Sequence, residues 1–114
     1  MLRIAVIALL LTSGCTHVNR ATLLASSASL ACDWAQTRSR AEVGWRGTFE
    51  NNPMLGAKPS VERVDFYFAT AIAANVGIWI LMPDRFKSVI PLGVTTVQTK
   101  TIIGNLPQTG ICFR

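Results

Sequence analysis

The chain has 114 residues, of which 50% are apolar and only 15% are charged, and its formal net charge is +5. Such a length makes one domain at most, and a charge content well below the quarter that is typical of soluble domains favours a membrane protein. The basic residues are scattered and no recognition motif or basic helix gathers them, which argues against nucleic acid as a partner.

The chain begins with the features of an export signal. Arg3 supplies a positive charge, an apolar stretch follows, and small residues precede Cys15. The apolar stretch is too short to cross a bilayer, which takes about 20 residues. Residues 10–15, LLTSGC, resemble a bacterial lipobox in which Thr12 takes the place of the usual Leu. The resemblance implies that residues 1–14 are a lipoprotein signal peptide and that Cys15 then carries fatty-acyl chains such as palmitate. An ordinary signal or an uncleaved anchor is the alternative.

Residues 21–40 are predicted to form a helix with one polar side. The polar residues recur at spacings of three and four, so that they lie along one seam: Thr22, Ser26, Ser29, Asp33, Gln36 and Arg40. The other faces are mostly apolar, a combination that suits packing between membrane helices, where small and polar residues allow close approach and hydrogen bonds. In water, the same seam would be the exposed face of an amphipathic helix.

Asp33 is the main candidate for a functional group. It is the sole charge in residues 21–37, and a charge at the centre of a membrane helix costs on the order of 2.5 to 3.5 kcal/mol. Asp33 is therefore expected within a bilayer or just under it, where it needs a partner, a water-lined cavity or a proton. Thr37 follows one helical turn later, where its hydroxyl can bond the carboxylate.

Residues 41–63 form a connection rich in Gly, Asn and Pro, which excludes a long helix there. Basic residues lie in and beside it: Arg38, Arg40, Arg46, Lys58 and Arg63. Trp45 and Phe49 are expected at the level of the lipid headgroups. Ser60 is predicted to be the N-cap of the next helix, whose first turn contains Glu62.

Residues 61–82 are the clearest membrane-spanning segment. No charge interrupts residues 66–82, a stretch nearly long enough for the hydrocarbon core of a bilayer. Aromatic residues lie toward its two ends, as interfacial anchors do: Phe66, Tyr67, Phe68 and Trp79. Small residues that suit close helix contact run along it: Ala69, Ala73 and Gly77. Pro83 is expected to end the helix.

Residues 88–106 are predicted to form a third helix. Their β-branched residues favour a strand by propensity, but an unpaired strand beside a membrane helix would leave its backbone polar groups unsatisfied. Lys100 is expected to reach toward the interface or the bundle interior. Residues 107–114 are expected to lie outside the helix, because Pro107 and Gly110 interrupt it.

The cysteines fit no metal-binding pattern, since Cys15, Cys32 and Cys112 are far apart and the chain has only one His. We expect no metal and no cofactor. With Cys15 acylated, Cys32 and Cys112 are expected to be free buried thiols, and a disulfide between them is the alternative.

Six residues make up the candidate polar cluster: Asp33, Gln36, Thr37, Glu50, Asn52 and Pro53. Glu50 and Asn52 belong to the connection and are expected to fold back over the end of the first helix. Arg38 and Arg40 are near enough in sequence to neutralise Asp33 or Glu50.

Several motifs follow one another in this part of the chain: DWAQT at 33–37, ENNPMLG at 50–56, PS at 59–60 and VDFYF at 64–68. Their order over residues 33–86 resembles a group of small bacterial and phage-associated membrane proteins, with the pattern D-W-x-Q-T, E-x-N-P-x-L-G and P-S. The resemblance implies a helical membrane protein and no particular activity.

The sequence therefore predicts an all-α fold, namely a small membrane helical hairpin or three-helix bundle in residues 15–114. The helices are expected at about 21–40, 61–82 and 88–106. We expect a structural or interaction protein of the bacterial inner membrane, with lipid and a second copy or another membrane protein as partners. No nucleophile with a paired base supports an enzyme that uses Asp33 and Glu50 as acid and base.

The expected orientation follows from the basic residues. With Cys15 on the periplasmic side, the basic connection lies in the cytoplasm, as the orientation rule for Lys and Arg requires. Two alternatives remain open: a proton or solute relay through Asp33, and a lipid-anchored protein with a soluble periplasmic body.

Overall fold

The computed structural model describes residues 17–50 and 52–112, apart from the side chains of His17 and Gln108. The predicted signal peptide and Cys15 lie outside the described residues. Within them the fold is all-helical, with these elements in chain order: α1 (His17–Glu42), α2 (Val61–Leu81), a short 3-10 helix (Asp84–Phe86) and α3 (Val89–Thr109). The prediction of an all-α fold with three helices is confirmed for this part of the chain, and the helix ends lie within a few residues of the predicted ones.

α1 is the centre of the bundle, because it packs against both α2 and α3, which hardly touch each other. The apolar core is small and lies between α1, α2 and the connection: Leu30, Leu55, Val64 and Phe68. The Trp34 ring stacks on Phe68 with the ring centroids 6.3 Å apart. The core therefore holds the C-terminal half of α1 against the beginning of α2.

The polar seam of α1 faces the bundle interior. Ser26, Asp33, Gln36 and Arg40 are all buried, and the remaining seam residues are half-buried. The spacing of these residues therefore selected the correct side of the helix. This seam is not the exposed face of an amphipathic helix.

The ends of α2 follow the predicted signals. The Ser60 hydroxyl accepts a hydrogen bond from the Arg63 backbone N–H at 3.2 Å, which caps the helix. Glu62 lies in the first turn, where the helix dipole favours a negative charge. α2 ends at Leu81, shortly before Pro83, which cannot continue the hydrogen-bond ladder.

The end of α3 differs from the prediction, since the helix continues through Pro107 to Thr109. A proline in the last turn removes one backbone hydrogen bond but does not end the helix. The helix ends at Gly110, which adopts a left-handed φ of 60° and donates its N–H to the Leu106 carbonyl. Glycine takes this conformation without a steric penalty.

The connection folds back against the bundle and buries Trp45. This residue is 2% exposed, and its indole N–H donates to the Pro59 carbonyl at 2.9 Å. The Arg40 guanidinium lies 5.1 Å from the Trp45 ring centroid, a cation–π contact. The prediction that Trp45 rests at headgroup level is therefore wrong. Phe49, for which the same position was predicted, is 63% exposed.

Two predictions about α2 also fail. Phe68 is a core residue rather than an interfacial anchor. The stripe of small residues faces away from the other helices, since Ala69 and Ala73 are exposed and a Cβ added to Gly77 would meet no atom within 4 Å. The buried side of α2 is instead set by Phe68 and Asn75, seven residues apart.

The three helices share a band without charged residues, which we call the charge-free band: residues 21–32, 66–82 and 88–99. Hydrogen bonds between the helices keep these stretches in register. At 1.5 Å per residue they are about 18 to 25 Å long, compared with about 30 Å for the hydrocarbon core of a bilayer. Asp33, Asp65 and Lys100 lie just beyond one end of the band, on the side of the connection.

Candidate functional site

Asp33 belongs to the polar seam and is its first residue outside the charge-free band. It is 7% exposed and accepts a hydrogen bond from the Thr37 hydroxyl at 3.2 Å, as their spacing predicted. Burial raises the pKa of Asp33 from 3.8 to about 6, while the Thr37 hydrogen bond works in the opposite direction. Nearby Glu50 adds to the rise, and Arg40 lowers the pKa. This carboxyl can therefore exchange a proton at mildly acidic pH.

The connection brings Glu50 to the end of α1. The Glu50 backbone N–H donates to the Ala57 carbonyl at 2.7 Å, and Oε1 accepts the Asn52 backbone N–H at 3.0 Å. Oε2 lies 3.8 Å from Nη2 of Arg40, with both side chains only 10% exposed. Glu50 thus folds back over α1 as predicted, and Arg40 is its ionic partner.

Arg38 has a different role from Arg40. Its Nε donates to Oδ1 of Asp65 at 3.0 Å, and its Nη1 pairs with Glu42 at 2.8 Å. The same Asp65 oxygen accepts the indole N–H of Trp34 at 2.8 Å. Because these ionic groups are 37 to 52% exposed, the ion pairs contribute little to stability. The contacts of Asp65 with Arg38 and Trp34 join α2 to α1. Among the described contacts, Arg38 pairs with neither Asp33 nor Glu50.

Asn52 joins the connection to α2. Its side-chain amide donates to the Tyr67 hydroxyl at 2.8 Å, and its Oδ1 accepts the Met54 backbone N–H at 3.0 Å. Pro53 follows in an exposed turn. Asn52 therefore supports the shape of the connection as well as its position.

Gln36, the seam residue that follows Asp33, bonds to α3 and to the chain beyond it. It is 0% exposed, and its amide donates to the carbonyls of Ile102 and Ile111 at 3.4 and 3.1 Å. These bonds fasten the C-terminal part of the chain to α1. Gln36 is therefore separate from the rest of the predicted polar cluster.

A cleft of about 820 Å³ opens where the connection, α1, α2 and α3 meet, and we call it the polar cleft. Asp33, Glu50, Asn52 and Pro53 line it, so four of the six predicted cluster residues come together, with Thr37 behind Asp33. Other polar or charged residues complete its walls: Arg40, Tyr67, Gln98, Lys100, Thr101 and Asn105. Lys100 lines the cleft but is exposed, so it does not lie in the bundle interior.

Sequence reasoning missed the contribution of α3 and a buried contact in the band. Gln98, Thr101 and Asn105 recur at i, i+3 and i+7, a spacing that could have indicated a polar side of this helix. Asn75 is a single amide within an apolar stretch, and it donates to the Ser26 hydroxyl at 2.7 Å. The position of this single amide among apolar residues could have indicated a buried polar contact.

A disulfide joins Cys32 to Cys112, with the Cα atoms 6.0 Å apart, so the prediction of free thiols is wrong. The two residues are 80 positions apart in the chain, but α1 and α3 lie side by side. Beyond α3, positive φ angles at Gly110 and Cys112 accompany the return of the chain to α1. The disulfide lies at the same end of the bundle as the polar cleft, because Cys32 directly precedes Asp33.

The described residues contain no group of three or more His, Cys, Asp or Glu side chains that could hold a metal ion. The cleft instead offers two carboxylates, two cationic side chains and several amide and hydroxyl groups. This set can bind a polar ligand through hydrogen bonds and charge, and its buried carboxyl can take up a proton.

Comparisons of the chain with family models, with curated proteins and with solved structures find no match. The resemblance to small bacterial and phage-associated membrane proteins therefore stays a prediction. Function has to be inferred from the geometry of the chain itself.

Proposed function

We propose that this chain is a small helical protein of the bacterial inner membrane with a structural or interaction role. The motif resemblance also implies a helical membrane protein. The observation that carries the proposal is that polar side chains are buried between the helices while many large apolar side chains are exposed. Ser26, Gln36, Thr37 and Asn75 are 0 to 4% exposed. Large apolar side chains cover the outside instead: Leu24, Phe66, Ile78, Ile80, Leu81, Leu92, Val97 and Ile103. Water-soluble domains bury such apolar residues.

α2 supports the bilayer as the surrounding solvent. Among the described helices it alone is long and apolar enough to cross a membrane by length and composition, and only 17% of its most apolar window is buried. The core helix of a soluble protein would be mostly buried. We propose that the charge-free band lies in the hydrocarbon, and that Asp33 and Lys100 lie at the interface beside it.

The contacts within the band favour a structural role. Asn75 bonds Ser26, and the band contains no charged group that could bind or relay an ion. Interhelical hydrogen bonds of this kind stabilise membrane bundles by about 0.6 kcal/mol each. A proton relay through Asp33 is the weaker candidate, since the polar cleft reaches only the edge of the charge-free band, and the rest of the band has no charged side chain. The proposed partners are membrane lipid and a second copy or another membrane protein.

Two features of the chain favour opposite orientations of the bundle in the membrane. The basic residues of the connection favour the cytoplasm for that end of the bundle, which would leave the start of α1 on the periplasmic side. The disulfide at the same end favours an oxidising compartment. Cys15 is two residues before the first residue of α1 in the sequence, and the first residues of α1 lie at the opposite end of the bundle. A spanning bundle therefore cannot have both an acylated periplasmic Cys15 and a periplasmic disulfide.

The disulfide thus favours a second candidate, the lipid-anchored protein with a soluble periplasmic body. In that arrangement the bundle does not cross the membrane, and both Cys15 and the Cys32–Cys112 pair lie in the periplasm. The apolar outer surface of α2 counts against it, because large exposed apolar surfaces are rare in soluble monomers unless a partner covers them.

One experiment separates these arrangements. The full chain and its Cys15→Ala variant are expressed in bacteria, membranes are washed with alkaline carbonate, and free thiols are trapped by alkylation at the moment of lysis. A spanning bundle keeps both proteins in the membrane, with free thiols if the connection is cytoplasmic and an intact disulfide if it is periplasmic. Release of the Cys15→Ala variant into the soluble fraction would overturn the spanning bundle in favour of the lipid-anchored body.

A further inference from the structure

The polar cleft contains hydrogen-bond acceptors that the described residues do not satisfy. The Glu50 side chain is 10% exposed, and its Oε2 accepts no hydrogen bond, although it is within ion-pair distance of Arg40. Oε1 of Gln98, a residue of α3 that also lines the cleft, is likewise buried without a donor. Buried acceptors are nearly always bonded in folded proteins. These two oxygens can each accept a hydrogen bond from a ligand that carries N–H or O–H donors.

The charged side chains around the polar cleft restrict the kind of ligand that it can bind. Its charged lining residues are Asp33, Glu50, Arg40 and Lys100, so its formal charge is balanced when both carboxyls are ionised. The cleft thus offers acidic groups, Asp33 and Glu50, and a basic group, Lys100, beside the Arg40–Glu50 ion pair. A purely anionic or purely cationic ligand would use only one of these two kinds of group. A ligand with an ammonium and a phosphate satisfies both, because the ammonium donates to the carboxylate side and the phosphate accepts from Lys100.

The position of the polar cleft indicates where such a ligand comes from. The cleft lies at the end of the charge-free band and takes part of its lining, Val97 and Gln98, from that band. It is therefore at the level of lipid headgroups in the proposed membrane arrangement. Its walls also include apolar side chains that face outward, Phe49 and Val97, each 63% exposed. Acyl chains can pack against such surfaces, whereas a small polar ligand that is soluble in water has no apolar part to pack there. The volume of about 820 Å³ is within the range of small-molecule sites.

We infer that the polar cleft binds a phospholipid headgroup that carries a primary ammonium, as phosphatidylethanolamine does. The ammonium lies between Glu50 and Gln98 and donates to both, and the phosphate lies against Lys100. This inference rests on the proposed membrane arrangement, because the acyl chains need the apolar surface beside the cleft.

The test uses purified full-length protein in detergent micelles. Dioctanoyl phosphatidylethanolamine is titrated against it, and binding is followed by native mass spectrometry. Dioctanoyl phosphatidylcholine and phosphatidylglycerol are compared at equal chain length, because the first has no N–H donor and the second has no ammonium. We expect phosphatidylethanolamine to bind at least tenfold more tightly than either.

Gly104 provides a variant that fills the polar cleft, and Gly93 provides its matched control. Both lie in α3, and a Cβ added at either would meet no atom within 4 Å, but only Gly104 lines the cleft. Leu is a better helix former than Gly, so both substitutions are compatible with α3. Gly104→Leu should weaken phosphatidylethanolamine binding at least tenfold, and Gly93→Leu should leave it unchanged. Glu50→Gln, which keeps the side-chain shape, should also weaken it about tenfold.

Several results would overturn the inference: equal binding of the three lipids, tighter binding of phosphatidylglycerol, or full binding by Gly104→Leu. Equally tight binding of soluble O-phosphoethanolamine would assign the cleft to a water-soluble ligand. Circular dichroism verifies the fold of each variant, and Glu50→Gln keeps the test decisive if Gly104→Leu does not fold. If the wild-type protein is released from membranes by carbonate, the proposed function fails. If it is retained but does not select phosphatidylethanolamine, only the present inference fails.

Discussion

Removal of the disulfide between Cys32 and Cys112 should destabilise the bundle more than any single polar substitution. The crosslink spans 80 residues, and the loop-closure entropy for a loop of that size gives about 4.5 kcal/mol at 25 °C. A denatured chain in detergent retains helices and is therefore less free, so we expect a loss of about 2 to 4 kcal/mol in the free energy of unfolding.

The assay is denaturant unfolding of Cys32→Ser/Cys112→Ser protein in micelles, compared with wild-type protein before and after reduction. The reduced wild type should unfold like the double variant, because both lack the same crosslink. Cys15→Ser serves as the control, since it changes a cysteine outside the pair and should leave the unfolding curve in place. If reduction and double substitution both leave the curve unchanged, the crosslink is absent or does not restrain the chain.

Three further predictions concern polar contacts. The pKa of Asp33 is raised to about 6 in the folded chain by burial, so its contribution to stability is full below about pH 4 and is lost as pH rises through 6. Asp33→Asn should remove this pH dependence in thermal unfolding measurements, and an unchanged slope would show that another group is responsible. In a double-mutant cycle, Asn75→Ala and Ser26→Ala should show a coupling energy of about 0.6 kcal/mol in micelles, whereas additive effects would mean that their hydrogen bond contributes nothing. Trp45→Phe removes the N–H that donates to Pro59 and should cost about 1 kcal/mol; limited proteolysis should then cleave the connection faster, and an unchanged rate would contradict this role.

Local features of this fold could be predicted from the sequence because they depend on neighbouring residues. The recurrence of polar residues along α1 identified its buried side, since a helix places residues three and four apart on one face. The same geometry predicted the Asp33–Thr37 hydrogen bond. Ser60 marked the start of α2 because its side chain bonds a backbone group only three residues away.

The polar cleft could be predicted only in part. The DWAQT and ENNPMLG motifs pointed to Asp33, Glu50 and Asn52, which do come together. Lys100 and Gln98 come from a helix that is more than 60 residues further along the chain than Asp33, so no local pattern could bring them to that carboxylate.

The sequence by itself determined the three helices, the buried side of α1 and the stretches without charge, because these depend on helical periodicity and on side-chain chemistry within a few turns. Only the tertiary structure decided the disulfide, the burial of Trp45 and the outward position of the small residues on α2. Each of these depends on the register and rotation of one helix against another. That register is set by many weak contacts across the bundle rather than by any single segment of the chain.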